Sequence, residues 1–328
     1  MRILDQNFEG VKELDHAIAK DLAQYFDFDF VTKNINDYQL WFNNLKKIAF
    51  QNLGLAHSVL HNQTAHNCVE IAFNETALPE FDRSYSQNIA GHSFLTLSSK
   101  SKHDSIKFDG KQLSGTKYWI SNAKAADFVV MACLNSISKV KKIHYIFIDL
   151  KLVEHKITGD EYQPLGMNVA TPFNLELDID VPEHWIITND HNRDDFYLAS
   201  YFHNYGLICN YISCAKKLLA LCRSQNYDVG YELDKLELNL KISETLFEQS
   251  IEKLFDKNTK TKFYFFNNQY QFARKNLIDV TKFFIELGSS SLLDSKSPAS
   301  QVVRDSLMMT SHLVNLYNHM NNAITRFF

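Results

Sequence analysis

Residues 108–133, FDGKQLSGTKYWISNAKAADFVVMAC, decide how the rest of this chain is read. Asp109-Gly110 lies between a short run of β character and the stretch Lys111 to Ser121, which calls for a tight hairpin with Gly supplying a positive φ. Gly115 interrupts the second strand, and a Gly there marks a bulge or a place where something approaches the backbone closely. Tyr118, Trp119, Ile120 and Ser121 then set a large aromatic, a β-branched residue and a hydroxyl side by side at a strand end. Ala125-Ala126-Asp127 turns the chain, and Phe128 to Cys133 reads as a buried strand.

Short β runs extend on both sides of this stretch, over Ser93–Leu97, Ser105–Phe108, Lys111–Ser121, Phe128–Leu134, Ile143–Asp149 and Phe173–Ile179. Their spacing and polar turns predict an antiparallel barrel or sandwich. Before them, Gly10–Phe26 carries apolar residues at helical spacing, Asn36-Asp37 is a candidate cap for a second helix, and Leu55–Phe73 reads as a third. Beyond Asn192 four apolar helical faces follow, led by Leu207, Leu233, Ala273 and Val303, with breaks at Gly288 and Pro298. The expected fold class is therefore α+β, with an N-terminal helical domain (1–91), a central antiparallel β-barrel or sandwich (92–190) and a C-terminal four-helix bundle (191–328).

At 328 residues the chain is long enough for two or three packed units. A net charge of -4 with scattered Lys and Arg excludes an electrostatic case for nucleic acid. No apolar run approaches the roughly 18 residues needed to span a bilayer, and the start is acidic rather than basic, so a cytoplasmic location with no membrane partner is expected. The five cysteines include no CxxC pair, which argues for reduced, buried thiols rather than disulfides or zinc. His57 and His61 share a helix face, and Glu13-x-x-His16 has the spacing of a di-iron element that such a bundle needs twice. With that element found once, partly exposed helix histidines and no metal are expected.

The succession DG…L.GTK.WISNA..AD..VV.A resembles the middle β-domain of the acyl-CoA dehydrogenase family, which includes flavin-dependent hydroxylases on the same fold. Leu165-Gly166-Met167, and Val181-Pro182 after a strand, resemble two further steps of that family in the right order. The resemblance implies that Trp119, Ile120 and Ser121 lie against a flavin ring. It also implies that Thr96 holds the pyrimidine end of that ring, that Ser98 with Ser99 and Lys100 meets phosphate, and that Arg223 grips the dinucleotide. Likewise it implies a small-molecule substrate such as an acyl-CoA, a homodimer or homotetramer, and an electron-transfer partner.

The departures from that pattern matter equally. The acidic, Pro and Gly positions around Thr96 are lost, and Gly288-Ser289-Ser290 replaces a Gly pair, so a Cβ stands where backbone would approach pyrophosphate. FAD, FMN and no cofactor all stay open. Acyl-CoA dehydrogenation needs a carboxylate base, yet after Arg304-Asp305 the expected Glu does not come and His312 stands nearby, with His319 beyond. Glu232, Glu237, Glu244, Glu248 and Glu252 are the alternative carboxylates. Three functions follow: an acyl-CoA dehydrogenase-like flavin-dependent oxidoreductase, an oxygen-using hydroxylase with His312 as hydrogen-bonding group and a separate reductase, or a non-catalytic scaffold acting through protein contacts.

Overall fold

The computed structural model describes residues 11–12, 14–26, 34–75, 88–93, 106–134, 143–159, 166–188, 193–224, 230–255, 259–288 and 297–312. Three helices come first: α1 (His16–Phe26), α2 (Ile35–Gln51) and α3 (Leu53–Glu75). The cap of α2 is Asn34, two residues before the expected one. Asn34 accepts from the N–H groups of Asn36 and Asp37, while the Asp37 carboxylate accepts from the Asn34 N–H, closing a reciprocal capping box.

Seven strands follow among the described residues, β1 (Ala90–Ser93), β2 (Lys107–Phe108), β3 (Gln112–Ile120), β4 (Phe128–Leu134), β5 (Ile143–Asp149), β6 (His155–Thr158) and β7 (Phe173–Asp180). They form two sheets, ordered β1-β4-β5 and β2-β3-β7-β6, with no closed barrel among the described residues. The sandwich alternative holds, with one departure from the antiparallel expectation, since β1 pairs parallel to β4. That follows from the chain path, because between β1 and β4 the chain crosses to the other sheet to lay down β2 and β3. The Asp109-Gly110 turn forms as its chemistry requires, with Gly110 at φ 98° and Asp109 Oδ1 accepting from the N–H groups of Lys111 and Gln112.

Helices α4 (Arg193–Ser224), α5 (Gly230–Ile251), α6 (Thr259–Gly288) and α7 (Pro298–His312) make the four-helix bundle. In α4 Leu207, Tyr211, Ala215, Leu218 and Cys222 are buried, as their spacing predicts. So are Phe202, Tyr205 and Ile208, because α4 is packed on one side by α2 and α3 and on the other by α5, α6 and α7. Phe202 lies against Tyr38, Trp41 and Phe42 of α2 at ring separations of 4.5–5.8 Å. Each such buried aromatic contributes on the order of 1.5–3 kcal/mol of apolar transfer, so this cluster binds the first helices firmly to the bundle.

Candidate functional site

The end of β3 is where local backbone is least ordinary. The register of β3 against β7 slips between Lys117 and Ile120, so the bulge lies three residues beyond Gly115, which itself pairs with Leu177 at φ 110°. Trp119 takes φ 61° and Asn122 takes φ 62°, bracketing Ile120 and Ser121 with two left-handed residues. A non-Gly residue at positive φ is uncommon, and a bulky one is held there only by its surroundings. Those surroundings are visible. Ile120 is fully buried, and Ser121 exchanges N–H and C=O with His92 at 3.2 Å in both directions. Asn122 Nδ2 donates to Ser58 O at 2.9 Å and Ala90 O at 3.3 Å. Trp119 as a whole is left 43% exposed.

The turn that follows is fixed by Asp127. Its N–H donates to Ile89 O, its Oδ2 accepts from Ile89 N at 3.0 Å and from His16 Nε2 at 2.9 Å, and its Oδ1 meets Lys151 Nζ at 3.0 Å. Burial raises the pKa of this carboxyl, but Lys151, His16 and the Ile89 N–H together outweigh it and hold the group below its usual value. Of the Glu13-x-x-His16 element, Glu13 lies outside the described residues, and the His16 ring is exposed and serves this turn.

Behind Ser121 four imidazoles converge. His57 and His61 come from α3, His92 from β1 and His203 from α4. His61 Nδ1 lies 3.3 Å from His92 Nδ1, and His61 Nε2 lies 3.1 Å from His57 Nε2. The His203 ring centroid is 4.6 Å from that of His61, and its Nδ1 lies 3.0 Å from Thr64 Oγ1. Burial, with the nearby charge of Lys117, pushes the His92 imidazole down to about 3, so it is neutral at ordinary pH. The expectation of partly exposed histidines fails for His61, which is buried because β1 and α4 close over it. Gly206 helps bring α4 in, since a Cβ there would overlap Leu60, the neighbour of His61. Spacing gave only His57 and His61; His92 and His203 come from elements far away in sequence and carried no signal.

The remaining predicted residues divide. Thr96 and Ser98 lie outside the described residues, as do Ser289 and Ser290, and His312 is the last residue of α7. Arg223 is exposed at the end of α4 and clamped by two carboxylates, with Glu237 bidentate at 2.8 Å and Asp234 at 2.8 Å. Arg304 and Asp305 serve structure. Asp305 Oδ1 accepts from Met167 N and from Gln301 Nε2, both at 2.6 Å, while Arg304 bonds Gln301 at 2.7 Å. Of the α5 glutamates, Glu237 pairs with Arg223 and Glu244 with Lys216. Glu232 is exposed, as are Glu248 and Glu252.

No protein-family model matches the sequence, and no curated protein matches it. The fold is that of the acyl-CoA dehydrogenases and of the flavin monooxygenases built on the same plan. A putative acyl-CoA dehydrogenase of Mycobacterium smegmatis superposes with a TM-score of 0.76 at 15% identity, covering 96% of this chain and 91% of that one. For butyryl-CoA dehydrogenase of Megasphaera elsdenii the values are 0.73, 13%, 91% and 86%. TdsC of Paenibacillus sp. A11-2, a dibenzothiophene monooxygenase solved with FMN and indole, gives 0.74, 14%, 93% and 88%.

Proposed function

We propose that this chain is a flavin-dependent oxidoreductase of the oxygen-using kind, holding its flavin along the Trp119–Ser121 step and receiving reduced flavin from a separate reductase. The observation that supports this reading is the left-handed backbone at Trp119, inside the register slip of β3. The slip between Lys117 and Ile120 takes the intervening peptides off the β7 register and leaves Trp119, with its flat aromatic ring, exposed. A planar ligand would stack on that ring. Ser121 has its backbone committed to His92, so its hydroxyl is the group it would offer to a ring edge. Thr96 and Ser98 remain assigned to the flavin by resemblance alone.

The clamp on Arg223 supports FMN over FAD, because the guanidinium meant for a dinucleotide is already neutralised by Glu237 and Asp234. When bound, a flavin supplies the electron transfer between donor, substrate and oxygen; the chain binds, orients and excludes water. The carboxylates favour this branch over acyl-CoA dehydrogenation. Removal of an α-proton needs a placed base, whereas Asp305 is tied to Met167 and the α5 glutamates are exposed or paired. His312 is the hydrogen-bonding group assigned to the oxygen-using reaction. The exposed Leu238, Ile242 and Leu246 of α5 support a homodimer or homotetramer.

The test is the visible spectrum after incubation with FMN or FAD and removal of free flavin by gel filtration. Retained FMN bands are expected, weakened or shifted in Ser121→Ala and Trp119→Ala, with no anaerobic bleaching by acyl-CoA. Bleaching would move the chain to the dehydrogenase branch. A colourless protein with both flavins would leave the non-catalytic scaffold.

A further inference from the structure

We infer that His61, His92 and His203 bind one first-row divalent transition-metal ion such as Zn2+, in the interior behind the Trp119–Ser121 step. One nitrogen from each of the three buried rings lies within 4.8 Å of the others. Zn–N bonds of about 2.0–2.1 Å at a tetrahedral angle place two ligand nitrogens about 3.3 Å apart, and His61 Nδ1 and His92 Nδ1 are 3.3 Å apart. Two neutral imidazoles at that separation share at most one hydrogen. An ion takes the place of that shared hydrogen and the His92 ring proton moves to Nε2, so binding at this pair needs a tautomer change.

The other partners select the ligating nitrogens. The Thr64 hydroxyl donates to Leu60 O at 2.8 Å, so its oxygen accepts from His203 Nδ1–H, and the lone pair of His203 is on Nε2. Ligation through His61 Nδ1 requires the hydrogen of the 3.1 Å His61 Nε2–His57 Nε2 pair to lie on His61. Such outer hydrogen bonds fix ring orientation and raise ligand basicity. An all-imidazole set suits Zn2+, Co2+ or Cu2+ and is a poor one for Mg2+ or Ca2+, and three ligands leave a fourth position for water or a small anion. Lys117 is close enough for its charge to act on His92 and therefore opposes a cation, so Lys117→Met should tighten the site. The inference rests on the imidazoles alone and stands whether or not a flavin binds.

The experiment uses full-length protein, free of any histidine tag and stripped with chelator, titrated with Co2+ and then Zn2+ in the absence of flavin. One Co2+ per chain with visible bands of tetrahedral intensity is expected, displaced by one Zn2+. X-ray absorption of the Zn2+ form should count three imidazoles. Loss of an outer partner costs about 10–100-fold in metal affinity, and loss of a ligand more, so His203→Asn should weaken binding by at least about tenfold. That variant keeps an amide donor near Thr64, and circular dichroism checks its fold. Absent or octahedral Co2+ bands, fewer than three imidazoles in the wild type, or unchanged affinity in folded His203→Asn overturns the site.

Discussion

The side chain of Asp305 on α7 accepts a 2.6 Å hydrogen bond from the backbone N–H of Met167, 138 residues earlier, and so ties the β-region to the bundle. Met167 itself sits at φ 54°, at the start of the short 3-10 turn Asn168–Ala170 that packs on α3. Burial raises the pKa of this carboxyl above its usual value, against the pull of the Met167 N–H, Gln301, Lys217 and Arg304. Asp305→Ala leaves the Met167 donor unpaired and should cost about 1–3 kcal/mol. Asp305→Asn keeps an acceptor and should stay within about 1 kcal/mol of wild type. Urea unfolding of the two variants decides.

Gly166, beside Met167, meets α7 directly. A Cβ at this position would come within 2.5 Å of the Arg304 carbonyl carbon and 2.6 Å of Asp305 N. Both obstacles are helix backbone, which cannot rotate away as a side chain can. Gly166→Ala should therefore destabilise by about 1–3 kcal/mol through overpacking, despite the lower unfolded-state entropy of Ala. A drop in Tm on thermal unfolding checks the sign.

Asp127 and Asp305 predict opposite responses to acid. The pKa of Asp127 is depressed in the folded chain, so its contribution is fully present above the ordinary aspartate value of about 3.9 and fades as pH falls through the lower folded value. Asp305 is raised, so its contribution is present below the ordinary value and is lost as pH rises through the folded one. Asp127→Asn should cost about 1–2 kcal/mol at pH 7, at the lower end for charged hydrogen bonds because Lys151 and His16 are exposed. The gap from wild type should close below about pH 4. In Asp305→Asn the gap should instead move in wild type's favour on acidification. Tm against pH for the three proteins reads both signs.

What the sequence made legible was what local chemistry dictates. The apolar runs Phe128–Leu134 and Ile143–Asp149 are β4 and β5 residue for residue, and Asp109-Gly110 turns as its dihedrals demand. Strand β6 went unread because His155–Thr158 is mostly solvent-facing and has no alternation to display. The slip at Trp119 was displaced onto Gly115 because Gly announces conformational freedom, whereas the strain at Trp119 is imposed by Ile120, Ser121 and Asn122 through tertiary contacts. The imidazole group was half visible, as His57 and His61; its other half depends on β1 docking to α3, where Asn62 accepts from Ala90 N at 2.7 Å.

All five cysteines are free and buried. Burial lifts the thiols of Cys68, Cys209 and Cys214 well above their usual range, and that of Cys222 to about 11. Attack on a disulfide or peroxide needs a thiolate that can reach solvent. These thiols therefore act as packing, and a thiol reagent should label them only as the chain opens.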